Sequence, residues 1–185
     1  MIRYLITDGA AAADEARWLK HLWQWLDIGM VDLLQIRERE LTARRLAELV
    51  RKVLQLPNPW QTKILVNDRT DIAIACGADG VHLRDGALLP AKIRALTTSP
   101  FIVSAACHSA GDVRTLAGAD YILLAPIFAP LSKSTDRPPL GLEAIYAAAQ
   151  LTSVPLIALG GITASNAHTC VEAGAAGVAG ISLFN

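Results

Sequence analysis

Gly77-Ala78-Asp79-Gly80-Val81-His82-Leu83 is the stretch that decides how this chain folds. Its first half reads as a turn. Glycine ends a helix because it tolerates positive φ, and small residues let the backbone double back closely. Its second half is a short apolar run, as expected of a strand buried on both faces. The pattern recurs. Ala117-Gly118-Ala119-Asp120 precedes an apolar run at Tyr121, and Ala173-Gly174-Ala175-Ala176 precedes one at Gly177. Working outward, apolar runs fall at residues 3–6, 31–36, 63–66, 80–82, 101–104, 121–125, 155–158 and 177–182. Helical stretches lie between them, near residues 14–26, 42–54, 71–76, 90–96, 110–116, 141–149 and 164–173. Strand–helix alternation implies a parallel sheet, and eight repeats favour closure. The expected fold is therefore α/β, a single (β/α)8 (TIM) barrel domain over residues 1–185. The eighth run lies so near the end that the barrel is expected to lack its last helix. The Gly-Ala-Asp turns are read as architecture, with no chemistry assigned to them.

Composition narrows the function. Hydrophobic residues make up 52% of the 185 and charged residues 18%, so the chain can bury a sizeable core. Lys+Arg and Asp+Glu are both 17. A net charge of zero gives no global attraction for nucleic acid or an anionic membrane, so any anion site must be local. The cysteines, Cys76, Cys107 and Cys170, are odd in number and far apart. That argues against a disulfide framework or zinc site and suits a reducing cytoplasm. The N-terminus has no signal-peptide pattern and no apolar run approaches the ~20 residues of a membrane span, so a cytoplasmic protein is expected.

In a parallel barrel the reactive face is at the strand C-termini. After the second strand, alternation puts Gln35, Arg37 and Arg39 on one face. Gln35 and Arg37 are costly there without partners, and arginine offers a planar fork for phosphate or carboxylate. Glu38 and Glu40 are read as solvated. After the third strand, Asp68 is either a magnesium ligand or the cap of the next helix, and spacing alone does not choose. His82 reads as a satisfied core histidine, Ser109 as a helix cap, and Cys107-His108 as a weak thiolate pair. The loop after the sixth strand carries Ser132 and Lys133 as a lid over the mouth. After the seventh and eighth strands, Gly160-Gly161 and Ile181-Ser182 offer backbone N–H groups where this fold commonly binds phosphate.

Read in order, these motifs resemble the thiamine-phosphate synthase/TenI family. The resemblance rests on Tyr4-Leu5-Ile6-Thr7-Asp8, Gln35-Ile36-Arg37-Glu38-Arg39, Val66-Asn67-Asp68-Arg69, Gly77 to Leu83, Ala119-Asp120-Tyr121, Pro126-Ile127-Phe128, Ala158 to Ile162 and Gly177-Val178-Ala179. It implies a transferase of thiamine biosynthesis. The family's synthases join a hydroxymethylpyrimidine diphosphate to a thiazole phosphate and release pyrophosphate with Mg²⁺. Carried over by position, Arg37 and Lys133 would be catalytic and Gln35, Arg39 and Asn67 would meet the pyrimidine and diphosphate. Asp68 would hold the metal. Ser132, Gly160, Gly161, Ile181 and Ser182 would surround the thiazole phosphate.

The chain departs from the synthase pattern at several places. Arg39 replaces a lysine, Arg84-Asp85-Gly86-Ala87 replaces Gly-Gln-x-Asp, and Ala106 and Pro130 replace hydroxyl residues. Two alternatives follow. One is a TenI-like thiazole tautomerase without a cofactor, although Pro126 stands at the histidine of that activity. The other is a non-catalytic, regulatory binder of a phosphorylated ligand. Trp18, Trp23 and Trp25 in the first helical stretch suggest that a second copy of the chain covers the place of the missing helix, as a homo-oligomer.

Overall fold

A computed structural model of the chain describes residues 1–97, 100–129 and 137–181. Eight parallel strands close in sequence order: β1 (Ile2–Ile6), β2 (Leu33–Ile36), β3 (Lys63–Asn67), β4 (Gly80–Leu83), β5 (Ile102–Cys107), β6 (Tyr121–Leu124), β7 (Leu156–Leu159) and β8 (Gly177–Gly180). Helices α1 (Glu15–Asp27), α2 (Ala43–Leu54), α3 (Thr70–Cys76), α4 (Pro90–Arg94), α5 (Gly141–Ala149) and α6 (Ala167–Glu172) surround them. A 3₁₀ helix, Gly111–Leu116, connects β5 to β6. The barrel expected from the alternation is present. No helix among the described residues is long and apolar enough to cross a membrane.

Period-2 alternation builds two cores from one set of strands. Inward residues Tyr4, Leu33, Leu65, Leu123, Ile157 and Ala179 fill the barrel. Outward residues such as Leu34, Ile36, Val66 and Val103 bury under the helices, where Leu22, Leu26, Leu49 and Val53 cover them. At the barrel floor Gly80 and Gly177 face inward. A Cβ there would overlap the Ile102 or the Ile2 carbonyl oxygen.

The turns that announced the fold also pin it. Asp32, Asp79 and Asp120 each stand one residue before an even-numbered strand. Each carboxylate accepts a main-chain N–H from the strand before it: Arg3 at 2.7 Å, Ile64 at 2.8 Å and Val103 at 2.7 Å. Each also meets a cation, Arg3, Lys63 or Arg94. A charge-assisted bond to a strand's edge amide holds adjacent strands together at the lower rim.

Several expected boundaries move, and three of the shifts have a clear physical reason. β5 runs to Cys107, three residues past the expected end at 104, because Ala105 and Cys107 continue its outward apolar face. The helix expected over residues 110–116 is the 3₁₀ helix, tightened by Asp112 N–H donating to Ser109 Oγ and Thr115 Oγ1 donating to the Asp112 carbonyl. Ser109, expected as the cap, stands one residue before the N-cap position, Ala110, and its Oγ accepts the Asp112 N–H from there. The stretch expected to be helical from 164 starts at Ala167, because Asn166 accepts the Thr163 N–H and donates to the Gly161 carbonyl, holding a turn there.

Helix α1 begins at Asp14, whose carboxylate accepts the Arg17 N–H. Its three tryptophans divide: Trp18 is buried, Trp25 half-buried and Trp23 exposed. A groove of about 650 Å³ runs between α1 and β1, lined by Leu5, Trp18, Leu22, Trp25 and Ile181. This is the surface to which the sequence reading assigns a second copy.

Candidate active site at the barrel mouth

The side chains that end β2 to β5 form a polar layer over the apolar barrel core. Gln35, on the inward face of β2, is 1% exposed. Its Nε2 donates to Asn67 Oδ1 at 2.8 Å, at the end of β3. Its Oε1 is buried with no hydrogen-bond partner among the described residues. An unpartnered buried acceptor is costly, so this atom suits a ligand that brings a donor. Next on the same face, Arg37 donates its main-chain N–H to Thr7 Oγ1 at 2.8 Å. Its half-buried guanidinium has no acidic partner among the described residues. Burial, and then the positive Arg39 nearby, lower its pKa, yet an arginine stays protonated.

Deeper, in register across β4 and β5, His82 Nδ1 lies 3.0 Å from Ser104 Oγ. Burial, reinforced by the charge of Arg37, lowers the His82 pKa to about 3, so the ring is neutral at pH 7. His82 is the satisfied histidine the sequence suggested, but it forms part of the floor of the mouth. Below it burial raises the pKa of the Tyr4 hydroxyl, against a smaller opposing effect of the nearby Ser104 side chain.

Glu38 was expected in solvent and is buried. Alternation turns it away from Arg37 and under the loop after β1. Its carboxylate accepts from Thr7 Oγ1 (2.7 Å), Gly9 N–H (3.2 Å) and Ala11 N–H (2.9 Å). Burial raises its pKa against these three bonds. Glu38 therefore folds the loop that backs Arg37, while Glu40 is exposed as expected.

Asp68 does not cap a helix. The residue before α3 is Arg69, and no side chain caps there. Asp68 instead takes a left-handed φ of 61° and donates its N–H to the His82 carbonyl at 2.7 Å. Its carboxylate meets Arg84 Nε at 2.5 Å. Asp85, which follows Arg84 in the chain, turns to Arg137 at 2.8 Å and His108 Nε2 at 3.9 Å. No group of three His, Cys, Asp or Glu side chains able to hold a metal ion comes together among the described residues. With one carboxylate, already met by a guanidinium, the residues present do not fit a magnesium ion held by the protein.

Cys107 and His108 are not a thiolate pair. The buried Cys107 thiol donates to the Ser109 carbonyl, and burial raises its pKa. His108 Nδ1 lies 2.6 Å from the Ala125 carbonyl oxygen, which can only accept, so Nδ1 is the donor there, and Nε2 lies 3.9 Å from Asp85 Oδ2.

The other half of the mouth, after β6 to β8, is made of backbone. Gly160 (φ 97°) and Gly161 (φ 62°) pack against the loop after β6. A Cβ on Gly160 would stand 2.7 Å from Pro126 Cβ, and one on Gly161 would overlap the Ala129 carbonyl oxygen. The carbonyls are occupied: Phe128 N–H donates to Gly160 O at 3.0 Å and Asn166 Nδ2 to Gly161 O at 3.0 Å. The two glycine N–H groups donate to no main-chain acceptor among the described residues. Ile181 is half-buried beside them. Ser132, Lys133 and Ser182 lie outside the described residues.

Gln35, Arg37, Arg39, Asn67 and Asp68 thus gather on one side of the mouth and Gly160, Gly161 and Ile181 on the other. Residue-by-residue reading missed Ser104 and Arg84. Ser104 shows only through its register with His82, and Arg84 only through the fold that sets it on Asp68.

The family model described as thiamine monophosphate synthase matches residues 3–184. The thiamine-phosphate synthase of Methanoregula boonei is 34% identical over 181 residues, 97% of this chain and 83% of that protein. That of Methanoculleus marisnigri is 40% identical over 156 residues, 83% of this chain and 74% of that protein. Among solved structures, thiamine phosphate pyrophosphorylase from Pyrococcus furiosus superposes with a TM-score of 0.83 at 26% identity, over 98% of this chain and 85% of that one. A 3-hexulose-6-phosphate synthase at 19% identity and TM-score 0.68 shares the barrel alone. With the motifs in order, the mouth assembled and the match spanning nearly the whole chain, the chain belongs to the thiamine monophosphate synthase family, transferases of thiamine biosynthesis.

Proposed function

We propose that the mouth joins a hydroxymethylpyrimidine diphosphate to a thiazole phosphate, with each half of the rim taking one substrate. The carrying observation is the buried Gln35 Oε1, with no hydrogen-bond partner among the described residues, two residues along the chain from an Arg37 guanidinium with no acidic partner among them. A ring amine satisfies the first and a diphosphate the second. The C–O bond between the pyrimidine methyl carbon and the diphosphate breaks, and its electron pair leaves with pyrophosphate. The thiazole nitrogen lone pair then forms the new C–N bond. Arg37 stabilises the negative charge that grows on the leaving group, and Lys133 and Arg39 belong to the same role. Asn67 holds Gln35 in place through the 2.8 Å bond. Neutral His82 leaves the floor uncharged beneath a developing carbocation.

The N–H groups of Gly160 and Gly161, with Ile181 and the Ser182 and Ser132 hydroxyls, suit the phosphate monoester of the thiazole. The magnesium ion that the family resemblance brings would meet at Asp68 a carboxylate held by Arg84. The synthase reading is favoured over the tautomerase because Pro126 is buried where the tautomerase needs an imidazole. Incubation of the two synthase substrates with the protein, with and without Mg²⁺, is expected to yield thiamine phosphate. No thiamine phosphate in either, with conversion of a thiazole carboxylate phosphate instead, overturns this reading.

A further inference from the structure

We infer that Arg84 does the work of a metal ion at this mouth, so that a diphosphate binds to guanidinium groups without a divalent cation. The inference rests on the diphosphate reading above. Arg84 directly follows β4, and its Nε is fixed on Asp68 Oδ2 at 2.5 Å. Asp68 is itself held by its backbone, through the left-handed φ and the bond to the His82 carbonyl. One of five donors of the guanidinium is therefore engaged, and the fork of terminal N–H groups donates to no described residue. The Arg84 side chain is 64% exposed and lines a cleft of about 350 Å³ with Arg39, Asn67, Asp68 and Arg69.

Charge in that cleft favours an anion. Arg69 is tied to Asp71 at 2.6 Å, and the Glu38 carboxylate turns away to Thr7, Gly9 and Ala11. Arg39 has no acidic partner among the described residues, and the Arg37 guanidinium is near enough to interact with its charge. Asp68 is the remaining carboxylate, and Arg84 neutralises it. A divalent ion on the Asp68 carboxylate would have to sit beside the positive charge of the guanidinium that already neutralises it. Planar guanidinium forks match phosphate oxygens two at a time and supply charge with no metal. Asp68 is in this arrangement a positioning residue for Arg84.

Calorimetric titration of the full chain with inorganic pyrophosphate tests this, in EDTA and in excess Mg²⁺. Binding is expected in EDTA. Arg84→Ala is expected to weaken it about tenfold to a hundredfold, the range for a lost charged hydrogen bond. Asp68→Asn keeps an acceptor for Nε and is expected to stay within a few-fold of the parent in EDTA. Thermal melts of both variants check that they fold. Binding that appears only with Mg²⁺, survives Arg84→Ala and is lost in Asp68→Asn overturns the inference and leaves the diphosphate reading standing. No pyrophosphate binding in either condition overturns that reading and the inference together.

Discussion

The two halves of the barrel mouth are built from different parts of the chain, and the function proposed above gives both the task of holding phosphate. On the side of β2 to β5 the rim is side chain: Gln35, Arg37, Arg39, Asn67 and Arg84, with Asp68 holding Arg84 in place. On the side of β6 to β8 it is backbone, shaped by Gly160 and Gly161 against Pro126, Phe128 and Ala129. Guanidinium groups supply full charge and suit a leaving group whose charge grows during reaction. Backbone N–H groups supply fixed dipoles and suit a phosphate that is only held. The first half can therefore lose function without losing its fold, because its polar ends project from finished strands. The second cannot, because the same two glycines make the site and the packing.

Substitution on each side breaks the comparison or sharpens it. Arg37→Ala should have the largest effect on chemistry, lowering kcat about 10²- to 10³-fold, the range for a lost transition-state charge contact. Its melting temperature should stay near the parent's, since no described ion pair is lost; a large drop in stability would make Arg37 a structural residue.

Gly161→Ala should strike the other half through stability. Its φ of 62° and the overlap with the Ala129 carbonyl should together cost about 2–4 kcal/mol, read by urea denaturation. An unchanged midpoint would show that the loop after β6 yields, and that the backbone half is looser than its packing implies.

His82 gives a smaller effect that depends on pH. Its folded pKa is near 3, below the unfolded value. Between these values the unfolded chain binds a proton that the folded chain refuses. Stability should thus fall as pH drops below about 6.5, with a slope up to about 1.4 kcal/mol per pH unit, levelling near the folded pKa. His82→Gln should flatten this slope when urea midpoints are compared across the window. A slope unchanged in the variant would assign it to other groups.

Smallest of all is Glu40→Gln on the exposed rim, expected to shift stability by less than about 0.5 kcal/mol, against Glu38→Gln two residues away. Glu38→Gln removes a carboxylate that accepts three hydrogen bonds and should cost about 1–3 kcal/mol. Equal melting temperatures for the two variants would mean that the loop after β1 holds without Glu38.

Much of this was legible in the chain. The eight apolar runs, three of them announced by small-residue turns, point to the barrel, because eight strand–helix repeats of two-faced strands favour a closed parallel sheet. The same count brings Gln35, Arg37, Asn67 and Asp68 to one rim, since each follows an apolar run by alternation. Glu38 was not legible. A glutamate in a run of alternating charges reads as solvated until the loop after β1 folds back over it. Asp68 stayed open between cap and metal ligand because spacing alone does not show φ or partners. The end of β5 was misplaced because Ala105-Ala106-Cys107 carries weak strand preference, and only the helices outside and the polar mouth inside make it a strand.

The sequence by itself determined the number of strands, their order and which residues reach the mouth, because period-2 alternation and glycine turns are local properties of the chain. Only the tertiary structure decided which of those residues meet. Arg84 and Asp68 come from different strand ends, as do His82 and Ser104, and Glu38 and the loop after β1. Their pairing depends on register and barrel closure, which fix distances between positions that no local pattern connects.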